Sequence, residues 1–364
     1  MGLIATALLA GVLAAAGPSG QPEFELTVCP FSIEFPRNSE GDIEALRDGR
    51  LLLAWTEFEG GFADDARAHI AARISADGGR SWGEKFVLQP NIGRRNVMSV
   101  SLLRLRNGEL LLFYLKKDGP GDLSVWMRRA GREPDQWSEP VRVTNLPGYH
   151  VMNNDRVVEL SGGRLLAPVA LTLDISKQYR AQEVLCYISD DGGRTWRPGP
   201  GRVGFENSAA MEPGVVELRD GRVMMIVRTT LGHIYVSYSR DKGETWSKPE
   251  PTALVAPAAP ASIEGIPSTG DLLIIWLNNP KGARAGWKER NPLTAAISRD
   301  EGATWINLRN IENEPGASFG YCSVTFVGER VLLTYYVWRN GKRRGFDGTD
   351  LRLRSLPVGW FYVE

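Results

Sequence analysis

The sequence predicts an all-β fold, a six-bladed β-propeller, on three observations. A turn followed by an apolar strand recurs six times along the 364 residues. A second pattern, Ser-x-Asp-x-Gly-x-x-Trp, stands at the same stage of four of those repeats. The 40 Gly, 22 Pro and 11 Trp suit many short strands joined by tight turns, because Gly supplies positive φ and Pro fixes turn geometry.

The turn glycines are Gly49, Gly108, Gly163, Gly221, Gly270 and Gly328, at intervals of 59, 55, 58, 49 and 58 residues. Each leads into an apolar run such as Leu51-Leu52-Leu53, Leu110-Leu111-Leu112 or Val223-Met224-Met225. Six similar units of this length imply six blades, and the strands between them carry no long helical period. The second pattern is the Asp box. It occurs at Ser75, Asp77, Gly79 and Trp82, then at Ser189, Asp191, Gly193 and Trp196. It returns at Ser239, Asp241, Gly243 and Trp246, and at Ser298, Asp300, Gly302 and Trp305, while the second repeat keeps only Trp137. Its chemistry is that of a structural turn: Asp and Ser bond turn amides, Gly permits positive φ, and Trp buries a large ring between sheets. The four aspartates are therefore set aside as catalytic candidates. The segment 24–35 precedes the first repeat and 351–356 closes the sixth, so the N-terminal strand is expected to complete the last blade and remove an open sheet edge.

Charge excludes some functions. With 43 Lys+Arg against 43 Asp+Glu, no global field exists to attract nucleic acid, and an anionic ligand must meet locally placed arginines. Residues 3–16 form an apolar run too short for a comfortable membrane span. They read as the core of a signal peptide over residues 1–18, with export to the periplasm or medium and no integral membrane domain after cleavage. Residues 19–364 then form a single propeller domain. Cys29, Cys186 and Cys322 are too widely spaced for a zinc cluster or a disulfide framework, and His69, His150 and His233 are too scattered for a metal site. No cofactor or metal is expected. Trp55, Trp126 and Trp276 read as core, His150 as site lining, and Lys342-Arg343-Arg344 as a solvated hairpin loop.

In a propeller, equivalent positions of successive repeats fall on one face around the axis. The residues 7 to 12 positions before each turn glycine are Arg37 and Glu40, Asn96 and Ser99, then Asn153, Asn154 and Asp155, then Glu212, and in the sixth repeat Tyr321. Polar groups entering apolar strands in this way are candidates for ligand binding or catalysis.

Beyond its repeats, the chain resembles the sialidases of the Asp-box type. Met211-Glu212-Pro213-Gly214 followed by Val227-Arg228 is similar to the family segment that holds a glutamate and, one strand later, an arginine. Arg290-Asn291-Pro292-Leu293 is similar to the segment of a later arginine, Gly320-Tyr321-Cys322-Ser323 to the Tyr-Ser turn, and Arg37 to the first arginine by position. The resemblance implies Tyr321 as nucleophile, Glu212 as the base activating it, and Arg37, Arg228 and Arg290 as a triad gripping a substrate carboxylate. It places the acid/base in the loop before the first Asp box, at Asp64 or Asp65. Glu40, Asn96, Asn154 and Asp155 join the expected substrate-binding set. The implied activity is exo-acting hydrolysis of a glycan at a terminal acidic sugar, sialic acid first, with action on another acidic sugar such as a uronate, or carbohydrate binding without catalysis, as alternatives. One departure bears on the sugar. Where the family has Arg-Ile-Pro, this chain has Pro36-Arg37-Asn38-Ser39-Glu40-Gly41, and Glu40 adds negative charge where a sugar carboxylate should lie.

Overall fold

The computed structural model describes residues 22–177, 180–339 and 347–363. The expected signal peptide at 1–18 and the basic run Lys342-Arg343-Arg344 lie outside the described residues. Among the described residues strands dominate, the helical elements are short 3-10 turns, and no helix is long and apolar enough to cross a membrane.

The described strands pair into four sheets, which the repeats divide into six consecutive units; the second, Asn96–Arg104, Leu110–Gly119 and Asp122–Arg132, joins the third, Val158–Glu159, Leu165–Thr172, Glu183–Ser189 and Arg197–Pro198, through Tyr149–Val151. In the first, Arg37–Ala45, Leu51–Glu59, Arg67–Ser75 and Phe86–Gln89 pair in sequence order. The fourth runs Met211–Glu217, Val223–Arg228, His233–Ser239, Glu250–Val255, and the fifth Ser262–Gly265, Leu272–Leu277, Leu293–Ser298, Ile306–Glu312. The sixth pairs Ala317–Val327, Arg330–Arg339 and Thr349–Pro357, and its outer place is taken by Phe24–Cys29 from the other end of the chain, antiparallel to Thr349–Pro357.

The leading strands of the units touch in order. Arg37–Ala45 lies against Asn96–Arg104, and the third unit joins the second through the Asp155 amide, which donates to the Val100 carbonyl at 3.0 Å. Met211–Glu217 lies against Leu165–Thr172 and Ser262–Gly265, Ser262–Gly265 against Ala317–Val327, and Ala317–Val327 against Arg37–Ala45. Contacts thus run from unit one to unit six and return to unit one. The core lies between neighbouring sheets: Leu52, Ala54 and Ile70 of unit one pack with Leu110, Leu112 and Tyr114 of unit two, all of them sealed from solvent. Trp55 and Trp276 sit in this core as expected, whereas Trp126 is half-buried beside Lys116. The three cysteines are buried free thiols.

The four Ser-x-Asp-x-Gly-x-x-Trp loops share one geometry. In the loop after Glu183–Ser189, the Ser189 hydroxyl donates to Asp191 at 2.8 Å and accepts from the Gly193 amide at 2.8 Å. Gly243, its counterpart in unit four, has φ +89° and lies so close to Leu166 that an added Cβ would come within 2.8 Å of that side chain. None of these loops contributes to the pocket described below. Ser189→Ala is therefore expected to cost about 1–3 kcal/mol by leaving the Gly193 amide without a partner. Thermal melting and a turnover assay on the same sample check this, and a loss of turnover with unchanged melting would contradict it.

The same loops make stability sensitive to acid. Hydrogen bonds from the Ser81 hydroxyl and amide pull the Asp77 carboxyl down to about 2. At Asp191 the Thr195 hydroxyl and amide outweigh a desolvation that acts the other way, again giving about 2. Groups depressed in the folded state stabilise it fully above their unfolded value of about 4 and lose that contribution as pH falls. The melting temperature is expected to drop between about pH 4 and 2, and Asp77→Asn combined with Asp191→Asn should flatten that limb.

Candidate active site

Bulges aim the candidate residues. Register breaks interrupt the leading strands between Ser39 and Asp42, Met98 and Ser101, Met211 and Gly214, and Gly320 and Ser323. Within each break one non-glycine residue takes the left-handed conformation: Glu40 at φ 57°, Ser99 at 57°, Glu212 at 39° and Tyr321 at 54°, with Asp155 at 56° in unit three. That conformation costs of order 1–3 kcal/mol per residue and is typical of side chains re-aimed for a purpose. Five units repeat it seven to nine residues before the turn glycine.

Four of these side chains, Glu40, Ser99, Glu212 and Tyr321, line one pocket together with Asp64, Asn153 and Arg228. The Tyr321 hydroxyl donates to Glu212 Oε1 at 3.3 Å, and Arg228 Nη1 donates to Glu212 Oε2. Burial, then Glu212 and Glu40, push the Tyr321 phenol up against the pull of Arg290 and Arg228, so it is neutral at physiological pH. A neutral phenol needs a proton acceptor to become a nucleophile, and Glu212 is in contact with it.

Arg37 lies over the Phe58 ring at 4.2 Å and donates to Glu40 at 3.0 Å, Asp64 at 2.6 Å and the Ser39 hydroxyl at 3.2 Å. Desolvation would raise the Asp64 carboxyl, but Arg37 and then Lys117 hold it below the usual range. Its side chain remains 65% exposed at the pocket opening. Arg290 donates to the Tyr336 hydroxyl at 3.3 Å and to the Ala258 carbonyl at 3.0 Å, and the Tyr336 ring lies 5.9 Å from that of Tyr321. Arg228 Nε, Arg290 Nε and Asn153 Nδ2 are buried donors without a protein partner. Such donors are costly unless a ligand supplies acceptors.

Other sequence candidates support the pocket or lie elsewhere. Asn96 donates to the Asp64 and Ala66 carbonyls at 2.9 and 2.7 Å, fixing the acidic loop from below. Asn154 donates to the carbonyls of Gly41 and Tyr321 at 2.8 and 3.1 Å, tying units one and six together. Asp65 points away from Asp64 to Lys117 Nζ at 2.6 Å. Asp155 is not in the pocket: its carboxylate accepts from the Val324 amide at 2.8 Å, and it lines a separate depression with Asp42 and Glu264. His150 is not a lining residue either. It is fully buried against Tyr187, and burial drops its imidazole to about 4.

Sequence reasoning missed Lys117, which is buried, donates to Asp65 and stands 5.5 Å from the Tyr149 ring. A readable signal existed. Lys116-Lys117 interrupts a strand that is otherwise Leu110-Leu111-Leu112-Phe113-Tyr114-Leu115, and a buried lysine in such a strand requires a carboxylate partner. Tyr149 and Gln182, which also face the pocket, carried no sequence signal. No group of three or more His, Cys, Asp or Glu side chains among the described residues is placed to hold a metal.

Residues 49–332 match the family model of the BNR repeat-like domain. Over 386 aligned positions the chain is 26% identical to a sialidase of Micromonospora viridifaciens, covering 96% of this chain and 53% of that protein. The chain thus spans about half the length of this curated relative. Its fold is similar to that of a Dyadobacter fermentans protein of unknown function, with a TM-score of 0.75 at 19% identity, covering 92% of this chain and 98% of that one. It is also similar to Trypanosoma rangeli sialidase, solved with the inhibitor DANA, with a TM-score of 0.72 at 16% identity over 92% of this chain and 59% of the other. The NanB sialidase of Streptococcus pneumoniae gives 0.71 at 16% identity, over 92% and 70%.

Proposed function

The chain belongs to the BNR-repeat family of the sialidase superfamily, and from that premise we propose that it is an exo-acting, retaining glycoside hydrolase releasing a terminal acidic sugar, sialic acid first, from a glycan. The observation that carries the reading is the contact chain Tyr321–Glu212–Arg228 facing Asp64 across one opening. A six-bladed propeller goes with it, supported by the contacts that run through six units and return to the first. A leader at residues 1–18 would send the activity to the periplasm or medium.

In this mechanism the protonated form of Asp64, the minor one beside Arg37 in the free protein, is the reactive one: the Tyr321 oxygen attacks the anomeric carbon while Glu212 accepts its proton, and the bond to the leaving oxygen breaks as Asp64 protonates it. Water then attacks the tyrosyl-linked sugar, giving its proton to Asp64, and Tyr321 leaves with the proton that Glu212 had held. Two displacements retain the configuration. A neutral tyrosine approaches a carboxylate-bearing sugar without the repulsion a carboxylate nucleophile would feel. The Arg228 guanidinium, which lines the opening, suits a sugar carboxylate, and in this reading Arg37 and Arg290 beside the pocket complete the grip.

The acid role is tested by leaving-group chemistry. Asp64→Asn is expected to lower turnover of a sialylated glycan by about 10²–10⁴-fold. An aryl sialoside with an acidic phenol needs little protonation and should lose far less, and Asp65→Asn should affect both weakly. Equal losses on both substrates would remove Asp64 from the acid role. Failure of the wild-type protein to release any sugar acid from sialylated or uronate-bearing glycans would leave the carbohydrate-binding reading.

A further inference from the structure

Arg37 differs from the other two arginines in already holding two carboxylates, where Arg228 holds one and Arg290, among the described residues, donates only to a hydroxyl and a carbonyl. Its Nη2 holds Glu40 and its Nη1 holds Asp64, so a substrate carboxylate reaching this guanidinium would be the third on it. Glu40 is a built feature. It sits in the bulge of Arg37–Ala45 at φ 57°, is 4% exposed, and lines the pocket. Its Oε1 is held by Arg37 at 3.0 Å, and its Oε2 accepts from the Thr56 hydroxyl at 3.1 Å. Thr56 is fixed in turn by the Ser99 amide at 2.8 Å. Glu40 therefore has no freedom to swing aside.

The charges facing Glu40 come from three sides. Arg37 on its own strand favours the carboxylate, whereas Asp64 from the loop and Glu212 from unit four disfavour it. Tyr321 from unit six stands close enough for Glu40 to raise its phenol. Burial tips the free-state balance upward, and Glu40 sits above the usual carboxylate range even with Arg37 beside it. A second carboxylate on the same guanidinium adds like charge at contact distance, and two carboxylates sharing one site relax by retaining a proton between them.

Resting on the acidic-sugar reading above, we propose that Glu40 is a specificity-determining residue that takes up one proton when a sugar acid binds. As a neutral acid it surrenders Arg37 to the substrate carboxylate and donates its new O–H to that carboxylate. The proton comes from solvent, and no bond to the sugar changes. Neutral sugars, which bring no charge, bind without it.

The test is isothermal titration of the full chain with DANA near pH 7 in buffers of different ionisation enthalpy. The expected result is proton uptake on binding, up to one per ligand where free Glu40 is ionised, and with it a weakening of up to tenfold per pH unit as pH rises through that window. Glu40→Gln, which keeps shape and hydrogen bonding, should abolish both the buffer dependence and the pH slope, and should bind more tightly than wild type near neutrality. Binding by the wild type with no proton uptake, or uptake undiminished in Glu40→Gln, overturns the inference and leaves the acidic-sugar reading standing. Heat in neither protein at any pH removes that reading, and the inference falls with it. If Glu40→Gln folds poorly, Asp64→Asn decides the matter, since Asp64 shares Arg37 with Glu40: uptake that persists in Asp64→Asn belongs to Glu40, and uptake lost there overturns the inference.

Discussion

Tyr321→Phe is expected to reduce turnover of an aryl sialoside by on the order of 10³-fold or more while leaving melting and DANA affinity near wild type. The hydroxyl makes one long hydrogen bond, 3.3 Å to Glu212, so its removal takes little from the fold. The phenyl ring keeps its place beside Tyr336. Chemistry loses its nucleophile. Glu212→Gln should fall by a comparable amount, and the double variant by scarcely more than either, because groups that act on one proton fail as a unit. Additive losses would mean that the two residues act separately, and near-wild-type turnover in Tyr321→Phe would remove the tyrosine from the reaction altogether. A covalent adduct trapped with a fluorinated sialoside should map to Tyr321 in the wild type and be absent from the variant.

Arg228→Met is expected to be the most damaging single change to stability, at about 3–5 kcal/mol. Glu212 is 9% exposed and Arg228 is its ion-pair partner, so removal of the guanidinium strands a buried carboxylate. A domain stable by about 5–15 kcal/mol would lose a large share of its margin. Adding Glu212→Gln removes the stranded charge and should recover most of the melting temperature without recovering turnover. That split matters: a merely structural pair would recover both, whereas a pair belonging to the reaction recovers only the fold. Denaturant unfolding of the four proteins in the cycle measures the coupling.

Much of this was legible in the chain. The strand units follow from turn glycines that recur every 49 to 59 residues, and the candidate residues from standing 7 to 12 positions ahead of those turns, because a bulge repeated in successive units leaves a similar trace in each repeat. Glu40, Glu212 and Tyr321 were found in that way. What could not be read is which side chains meet across units. Asp64 and Asp65 are neighbours in sequence, and only the pull of Lys117, from another unit, turns one aside and leaves the other in the pocket. Asp155 occupies the repeat position that elsewhere supplies pocket residues, yet the Val324 amide draws its carboxylate away. His150 had a polar neighbourhood in sequence and a sealed one in space.

The pairing of Phe24–Cys29 with Thr349–Pro357 has a consequence in time. A strand made before the first repeat must wait for one made after the fifth, so the sixth unit is the last of the six to be completed, whatever the order in which the others form. Until then Thr349–Pro357 and its partner each offer a bare edge to any neighbouring chain. Slow synthesis through the last repeat would prolong that exposure, and the yield of folded protein should depend on it more than on any point within the pocket.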